Sequence, residues 1–248
     1  MKRTLIAAIA CRNEGSRLYG KPLQNLDVYG KRNILQNIII NIKKINVVED
    51  IVLGIAKENA SKAYEDFAKK HKIKFIYGDK IDVLSRLIKC GNLKKATDIL
   101  RITSESPYPY LDNFNKFWIN HVKKNFDATF LDEVVDGCGF EIIKLTSLVK
   151  SHKFGKKKHR SELCSLYIRE NKNKFSINKI KPPKYLIRKD LRLTVDYPED
   201  LVVCREIFSF FKNKKINHKK IIKFLDKNKK LKDLVKKYTY QGYKTMYK

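Results

Sequence analysis

Acidic residues are scarce in this chain of 248: 26 Asp and Glu stand against 55 Lys and Arg, a formal charge of +29. The five cysteines (Cys11, Cys90, Cys138, Cys164, Cys204) are odd in number and never form a C-x-x-C pair. Neither a disulfide framework nor a zinc site is indicated, and free thiols suit a reducing compartment. The five histidines form no H-x-x-H or H-x-x-x-H pair, and His152 and His159, in the lysine-rich stretch 151–159, read as loop residues rather than ligands. No segment approaches the ~18 consecutive apolar residues of a membrane span. Met1-Lys-Arg followed by the apolar residues 4–11 has the outline of a secretory signal, but the run is short and a loop rich in charge and glycine follows it. A buried first strand is the expectation instead. Internal repeats and low-complexity linkers are lacking, so a single soluble cytoplasmic domain over residues 1–248 is expected.

An excess of positive charge ordinarily points to nucleic acid or an anionic membrane surface. Here most basic residues are lysines spread through the chain among Asn and Ile, which is a compositional bias rather than a concentrated stripe. Nucleic acid and membrane are therefore not the expected partners.

What the chain does have is a recurring alternation. Short apolar runs at 5–10, 51–56, 75–77 and 99–103 are separated by stretches with helical spacing, such as Ile34, Ile38, Ile42 and Ile45, then Ala63, Phe67 and Ala68. Non-alternating apolar runs between amphipathic helices imply parallel strands covered on both faces, an α/β, doubly wound, mostly parallel sheet. After residue 120 the segments 128–131, 140–145 and 175–178 read as an inserted or edge β section. It is interrupted by a basic loop at 151–159 and a helix over 163–169. The α/β character returns with a strand at 191–196 and a helix opening at Pro198, with Glu199 and Asp200 in its first turn. From about 212 to 248 a lysine-dense tail keeps helical apolar spacing at Ile221, Ile222, Leu225, Leu231, Leu234 and Val235. The reading is short helices packed on the body, with a loose solvated tail as the alternative.

The chemistry gathers after the first strand, in Ile9-Ala-Cys-Arg-Asn-Glu-Gly-Ser-Arg-Leu-Tyr-Gly-Lys-Pro-Leu23. In an open parallel sheet ligands bind beyond the carboxyl ends of the strands, and the first such loop is the usual phosphate cradle. Arg12, Arg17 and Lys21 supply cations there, and Gly15 and Gly20 let backbone N–H groups approach oxygens closely. The competing reading is a solvated basic turn. The loop is neither a Walker A sequence nor a Rossmann fingerprint, since both spacings are absent.

These residues resemble the signature R-x-x-S-T-R-L-P-G-K-x-L of the cytidylyltransferases that include CMP-Kdo synthetase and the spore-coat-polysaccharide-type enzymes. Gly15-Ser16 stands where that family has Ser-Thr, and Tyr19 replaces its proline. Asp82-Val-Leu-Ser-Arg86 is similar to the family's D-V-L-x-R. Arg101-Ile-Thr-Ser-Glu-Ser-Pro107 is similar to R-I-T-G-D-x-P, and Arg192-Leu-Thr-Val-Asp-Tyr-Pro-Glu-Asp200 to R-L-T-V-D-x-P-E-D-L. Glu162 followed by Tyr167-Ile-Arg-Glu-Asn171 is similar to R-E-H-V-T-P-Y-I-R-E-N. The segments fall in the family's order along nearly the whole chain.

The resemblance implies a nucleotide-diphospho-sugar transferase-like fold and transfer of CMP from CTP to an acidic sugar, a ulosonic acid or sugar phosphate. Pyrophosphate is released, and the product serves surface polysaccharide, capsule or lipopolysaccharide biosynthesis. It implies catalytic roles for Lys21, Arg12 and Arg17, and nucleotide contacts from Ala10, Arg12, Gly15, Ser16, Lys21, Asp82, Arg86 and Ser104. It also implies magnesium held by Asp196 and Glu105, acceptor contacts from Glu141, Glu162 and Arg169, and a homodimer formed through the section 132–180. Glu105 is a departure, because the family has aspartate there. Other readings stand beside these. Asp196 is a metal ligand, a cap for the helix at Pro198, or both, and Asp82 is either at the nucleotide or a cap for the helix bearing Arg86, itself either a nucleotide contact or a surface residue. The glycines before Glu141 equally mark a tight turn, and Arg169 with Glu162 equally an ion pair on a helix. Two further functions are carried as alternatives: a nucleic-acid-binding α/β protein, and a family member that binds nucleotide without catalysis.

Overall fold

The computed structural model describes residues 2–13, 17–27, 29–30, 32–59, 61–212 and 217–246. Strand β1 (Leu5–Cys11) shows why the first apolar run does not alternate. Leu5, Ala7, Ile9 and Cys11 enter one hydrophobic core, and Ile6 and Ala8 enter a second core on the opposite face. A strand buried on both sides needs apolar residues at every position.

Six further strands complete one sheet: β2 (Asp50–Ala56), β3 (Lys74–Gly78), β4 (Asp98–Arg101), β5 (Ala128–Leu131), β6 (Phe140–Lys144) and β7 (Ile177–Lys179). Their order is β3-β2-β1-β4-β6-β5-β7. β6 runs antiparallel to both its neighbours and the other pairings are parallel. The first core is covered by α1 (Ile34–Ile42), α2 (Lys62–Lys70), α4 (Phe114–Lys123) and α7 (Pro198–Phe211). The second is covered by α3 (Val83–Leu93), α5 (Leu145–Phe154) and α6 (Leu166–Glu170). This is the doubly wound, nucleotide-diphospho-sugar transferase-like arrangement expected from the sequence.

Local chemistry sets the helix starts. The Asn33 side chain accepts from Gln36 N–H at 2.7 Å to open α1, and Asp82 accepts from Ser85 N–H at 2.8 Å to open α3. The Asp200 carboxylate accepts from the N–H groups of Asp196 and Tyr197, at 2.9 and 3.0 Å, ahead of α7. The tail forms α8 (His218–Lys227) and α9 (Lys229–Met246), which bury Ile221, Ile222, Leu225 and Val235. The loose-tail alternative is therefore set aside.

Several expected elements differ. Residues 191–196 form no strand; the segment bends at Thr194 and Asp196, buries residues 191–195, and joins its neighbours through an isolated bridge of Arg192 with Asp136 and single backbone bonds. Half of the expected basic loop at 151–159 is helical: α5 continues to Phe154, and a short 3-10 turn follows at Lys157–Arg160. His152 and His159 accordingly sit in ordered structure, each against a carboxylate, Asp82 at 2.7 Å and Glu170 at 2.8 Å. The helix expected over 163–169 is only the five residues of α6. In α2 the inward face is Tyr64, Phe67 and Ala68, with Ala63 outside. All five cysteines are buried and free, and no helix of the described residues is long and apolar enough to cross a membrane.

Candidate active site

The sheet changes direction of winding between β1 and β4, and the crevice beyond their carboxyl ends is where an open α/β sheet takes ligands. A cleft opens there, lined among others by Ala10, Arg12, Arg17, Lys21, Arg86, Ser104, Glu105, Glu162 and Asp196. It continues into a groove of about 750 Å³ that adds Asp136, Arg192, Tyr197 and Tyr238. Nine of the residues singled out in the sequence thus meet in one place. Gly15 and Ser16 lie outside the described residues.

Asp196 is the hub. One carboxylate oxygen takes Lys21 Nζ at 2.7 Å and Arg17 Nη2 at 3.4 Å, and the other takes Arg192. Burial opposes its ionisation, but the hydrogen bond and charge of Lys21, with Arg192 and Arg17, hold its pKa below the ordinary carboxylate value. The alternative reading of Asp196 as a helix cap is overturned, because Asp200 does the capping and leaves the Asp196 side chain to the cleft.

Glu105 follows β4 and is tied to the Asp196 segment by Val195 N–H donating to the Glu105 carbonyl at 3.0 Å. Burial raises the pKa of its carboxyl above the ordinary value and the neighbouring charge of Asp196 raises it further, with Lys21 opposing. Asp196 and Glu105 bring two carboxylates to one cleft, where Lys21, Arg17 and Arg192 now meet the charge of Asp196. Among the described residues no group of three or more His, Cys, Asp or Glu makes a self-sufficient metal cage. Magnesium does not need one, since it takes one or two carboxylates and fills its remaining positions with substrate phosphates and water. The residues present fit that ion.

Arg12 forms an ion pair with Glu162 at the rim, where the two side chains are 45% and 64% exposed. Such a pair contributes little to stability, so parting it costs little. The alternative reading of Glu162 and Arg169 as an ion pair on a helix is not met, since Glu162 pairs with Arg12. Arg169 instead holds Asp132 in a two-point contact at 2.7 and 3.0 Å and reaches Glu141 at 3.0 Å. Glu141 is buried and also pairs with Arg101 at 3.2 Å, its cross-strand neighbour in the β4–β6 register. Glu141 and Arg169 therefore stand behind the cleft, Arg169 facing a separate cavity beside β7. Gly137, at φ +89°, bears out the turn reading for one of the glycines before Glu141. A Cβ there would come within 2.6 Å of the Leu193 and Thr194 backbone, so the turn before β6 needs glycine to press against the Asp196 segment.

Asp82 caps α3 and meets His152, one position before Val83, which does line the cleft. Arg86 is 1% exposed, which overturns the surface-residue alternative. Its Nη1 donates to the carbonyls of Cys11 and Gly54, each at 2.8 Å, tying α3 to the ends of β1 and β2 under the cleft floor.

Two arginines were missed as site residues. Arg192, 3% exposed at its side chain, bonds Asp136, Asp196 and Asp200 and so sets the orientation of Asp196. Arg101 holds Glu141 and donates to the Glu162 carbonyl at 2.8 Å. A signal was present: Arg101-Ile-Thr-Ser-Glu105 and Arg192-Leu-Thr-Val-Asp196 share the order arginine, apolar, threonine, any residue, acid. The two segments lie together, joined by Ser106 Oγ to Thr194 Oγ1 at 3.2 Å.

Fold and cleft together define an open, doubly wound α/β sheet with a polar cleft at its switch point. No protein-family model matches the chain. A cytidylyltransferase from Leptospira borgpetersenii superposes with a TM-score of 0.82 at 21% identity, covering 93% of this chain and 97% of that one. The structure of CMP:2-keto-3-deoxy-manno-octonic acid synthetase complexed with CTP superposes at 0.62 with 13% identity, covering 84% and 99%. In sequence, the chain is 29% identical over 230 residues, 93% of each protein, to a protein of Methanocaldococcus jannaschii described as uncharacterized. The resemblance read from the motifs thus extends to the fold.

Proposed function

We propose that this protein is a magnesium-dependent cytidylyltransferase that transfers CMP from CTP to an acidic sugar and releases pyrophosphate. The observation that carries the reading is the convergence of Lys21, Arg17 and Arg192 on Asp196, beside Glu105, in one cleft at the sheet's switch point. An acceptor oxygen attacks the α-phosphorus, the bond to the β-phosphate breaks, and CMP-sugar, pyrophosphate and a proton result. Such a reaction needs alignment and neutralisation of phosphate charge more than covalent participation by the protein.

Lys21, Arg17 and Arg12 bind the triphosphate; Lys21 and Arg12 exchange their present carboxylate partners for phosphate oxygens. Asp196, with the longer arm of Glu105, would hold magnesium, which supplies charge neutralisation at the phosphates. Ala10, Ser104 and the α3 start at Asp82 border the nucleoside, with Arg86 stiffening the floor. Glu162 closes the rim on the acceptor side, and the Glu141–Arg169–Asp132 network supports the section 132–180, which carries acceptor and dimer contacts. The product feeds surface polysaccharide synthesis, and the enzyme works in the cytoplasm as a homodimer.

The test is pyrophosphate release with each nucleoside triphosphate, magnesium and a panel of ulosonic acids and sugar phosphates. CTP-dependent release with one acidic acceptor is the expected result. Thermal stabilisation by CTP and magnesium without turnover on any acceptor would mark a non-catalytic nucleotide binder instead, and no response to any nucleotide would end the reading.

A further inference from the structure

The C-terminal helix reaches the cleft. α9 packs on α7 through Val235, with Leu231 and Tyr238 partly buried against the same core. The Tyr238 ring lies flat on the Tyr197 ring, centroids 3.7 Å apart and planes within 10°. Tyr238 OH donates to Glu199 at 2.9 Å, and Lys237 stands 3.4 Å from the same carboxylate oxygen. Tyr197 directly follows Asp196, and its hydroxyl accepts from Arg17 Nη1 at 3.2 Å. The Arg17 guanidinium carbon also lies 4.8 Å from the centre of the Tyr197 ring. Both tyrosines line the groove that Arg17, Arg192 and Asp196 share.

Arg17 is a long side chain, 44% exposed, whose contact with Asp196 is 3.4 Å. An arginine of that exposure loses substantial rotamer freedom when it grips a ligand, and holding it in place beforehand recovers affinity. Among the described residues its other contacts are with the ring and hydroxyl of Tyr197, which is itself held by the Tyr238 stack. We propose that Tyr238 is a positioning residue: acting through Tyr197, it pre-organises Arg17 for the triphosphate, so that the lysine-rich C-terminal helix is part of the nucleotide site. The proposal rests on the cleft taking a triphosphate.

Inorganic tripolyphosphate is the probe, because it reports the phosphate site without base or acceptor. Its affinity is measured by calorimetry with magnesium for the full chain and for Arg17→Ala, Tyr238→Leu, Tyr238→Phe, Tyr197→Phe and the Arg17→Ala/Tyr238→Leu pair. Stacked aromatic contacts of this kind lead to an expected loss of about three- to tenfold in Tyr238→Leu, and recovery to within about twofold in Tyr238→Phe, which keeps the ring. Tyr197→Phe keeps both rings, deletes only the oxygen that accepts Arg17, and is expected to weaken binding even if Tyr238→Leu fails to fold. In the Arg17→Ala background Tyr238→Leu should change nothing further, as coupled residues do in a double-mutant cycle. If Arg17→Ala weakens binding but the Tyr238→Leu effect is absent or simply adds to it, the positioning role is overturned while the triphosphate site stands. If tripolyphosphate does not bind the unaltered protein, or Arg17→Ala leaves its affinity unchanged, the triphosphate reading falls and this proposal with it.

Discussion

Asp196 has three cationic partners, and their surroundings separate their jobs. Arg192 is almost wholly enclosed and spreads its guanidinium over three carboxylates; removing it would leave buried charges unpaired, so its loss is expected to act on folding. Lys21 presents a compact ammonium on a flexible stem, follows the left-handed Gly20, and makes one contact at 2.7 Å. Lys21→Ala leaves Asp196 still held by Arg17 and Arg192. The expected outcome is a fall in kcat of about a hundredfold or more, the scale of losing one charge-stabilising donor, with a change in melting temperature of no more than about 4 °C. Pyrophosphate release and a thermal melt on the same preparation check both halves, and a fully active Lys21→Ala would remove the lysine from the mechanism. The cations of this cleft were legible in the sequence because exposed charge on a glycine-bearing loop after an apolar strand has few structural reasons to exist. Arg192 was harder to read: the order it shares with Arg101-Ile-Thr-Ser-Glu105 marks the segment, but its burial against Asp136, 56 positions away, leaves no local trace. The Arg12–Glu162 pair spans 150 positions and likewise leaves no local trace.

At the scale of elements, burial explains both what could be read and what could not. β1 and β2 were readable because burial on both faces removes polar side chains from every position but Asp50, at the start of β2. The same rule misled at 191–196: Leu191, Leu193 and Val195 are buried, yet the segment runs past the turn at Gly137 as a bent connector with no ladder of its own. Of the lysines that suggested a loop at 151–159, Lys153 stands on the outer face of α5, which buries Leu148 and Ser151 inside, and Lys156, Lys157 and Lys158 follow the helix end. α8 carries a titratable group whose effect has a definite sign. His218, its first residue, is 9% exposed, lies edge-on to Tyr110 with centroids 5.2 Å apart, and has Nε2 3.0 Å from the Tyr108 carbonyl. A carbonyl only accepts, so Nε2 carries the proton of a neutral ring. Burial lowers the pKa, with the Tyr108 carbonyl and Asp112 opposing. The unfolded chain therefore takes up a proton near the ordinary histidine pKa of ~6.5 while the folded chain has not. The stabilisation is present above that pH and is lost as pH falls toward the depressed folded value, by at most about 1.4 kcal/mol per pH unit. His218→Gln, which keeps a donor but does not titrate, is expected to flatten the stability curve between pH 7.5 and pH 5.5. Urea midpoints at the two pH values measure it. His121, also buried with a lowered pKa, is present in both proteins and cancels; equal slopes would show that α8 docks without proton linkage.

At the scale of the molecule the question is what the large positive charge does. Exposed lysines lie on α2 (Lys62, Lys69, Lys70), on α4 (Lys116, Lys123) and on α8 and α9 (Lys219, Lys220, Lys223, Lys227, Lys229, Lys230). They are carried by elements on different parts of the body, whereas the cleft cations are few and each already meets an acidic or polar partner. A surface of that kind attracts any polyanion through counterion release, so affinity for a short random-sequence DNA duplex should fall by orders of magnitude from about 50 mM to about 200 mM salt. Nucleotide turnover depends on a handful of groups at close range and should fall far less over the same interval. Reversing the α8 charges separates the two effects, because Lys219, Lys220 and Lys223 face solvent away from the buried Ile221 and Ile222. The triple change to Glu is expected to weaken duplex binding further at low salt and to leave CTP-dependent pyrophosphate release within about twofold. Filter binding and the pyrophosphate assay, run in one salt series, provide the comparison. Duplex affinity that persists at about 200 mM salt, with CTP displacing the duplex, would instead place nucleic acid in the cleft and make the charge a functional surface.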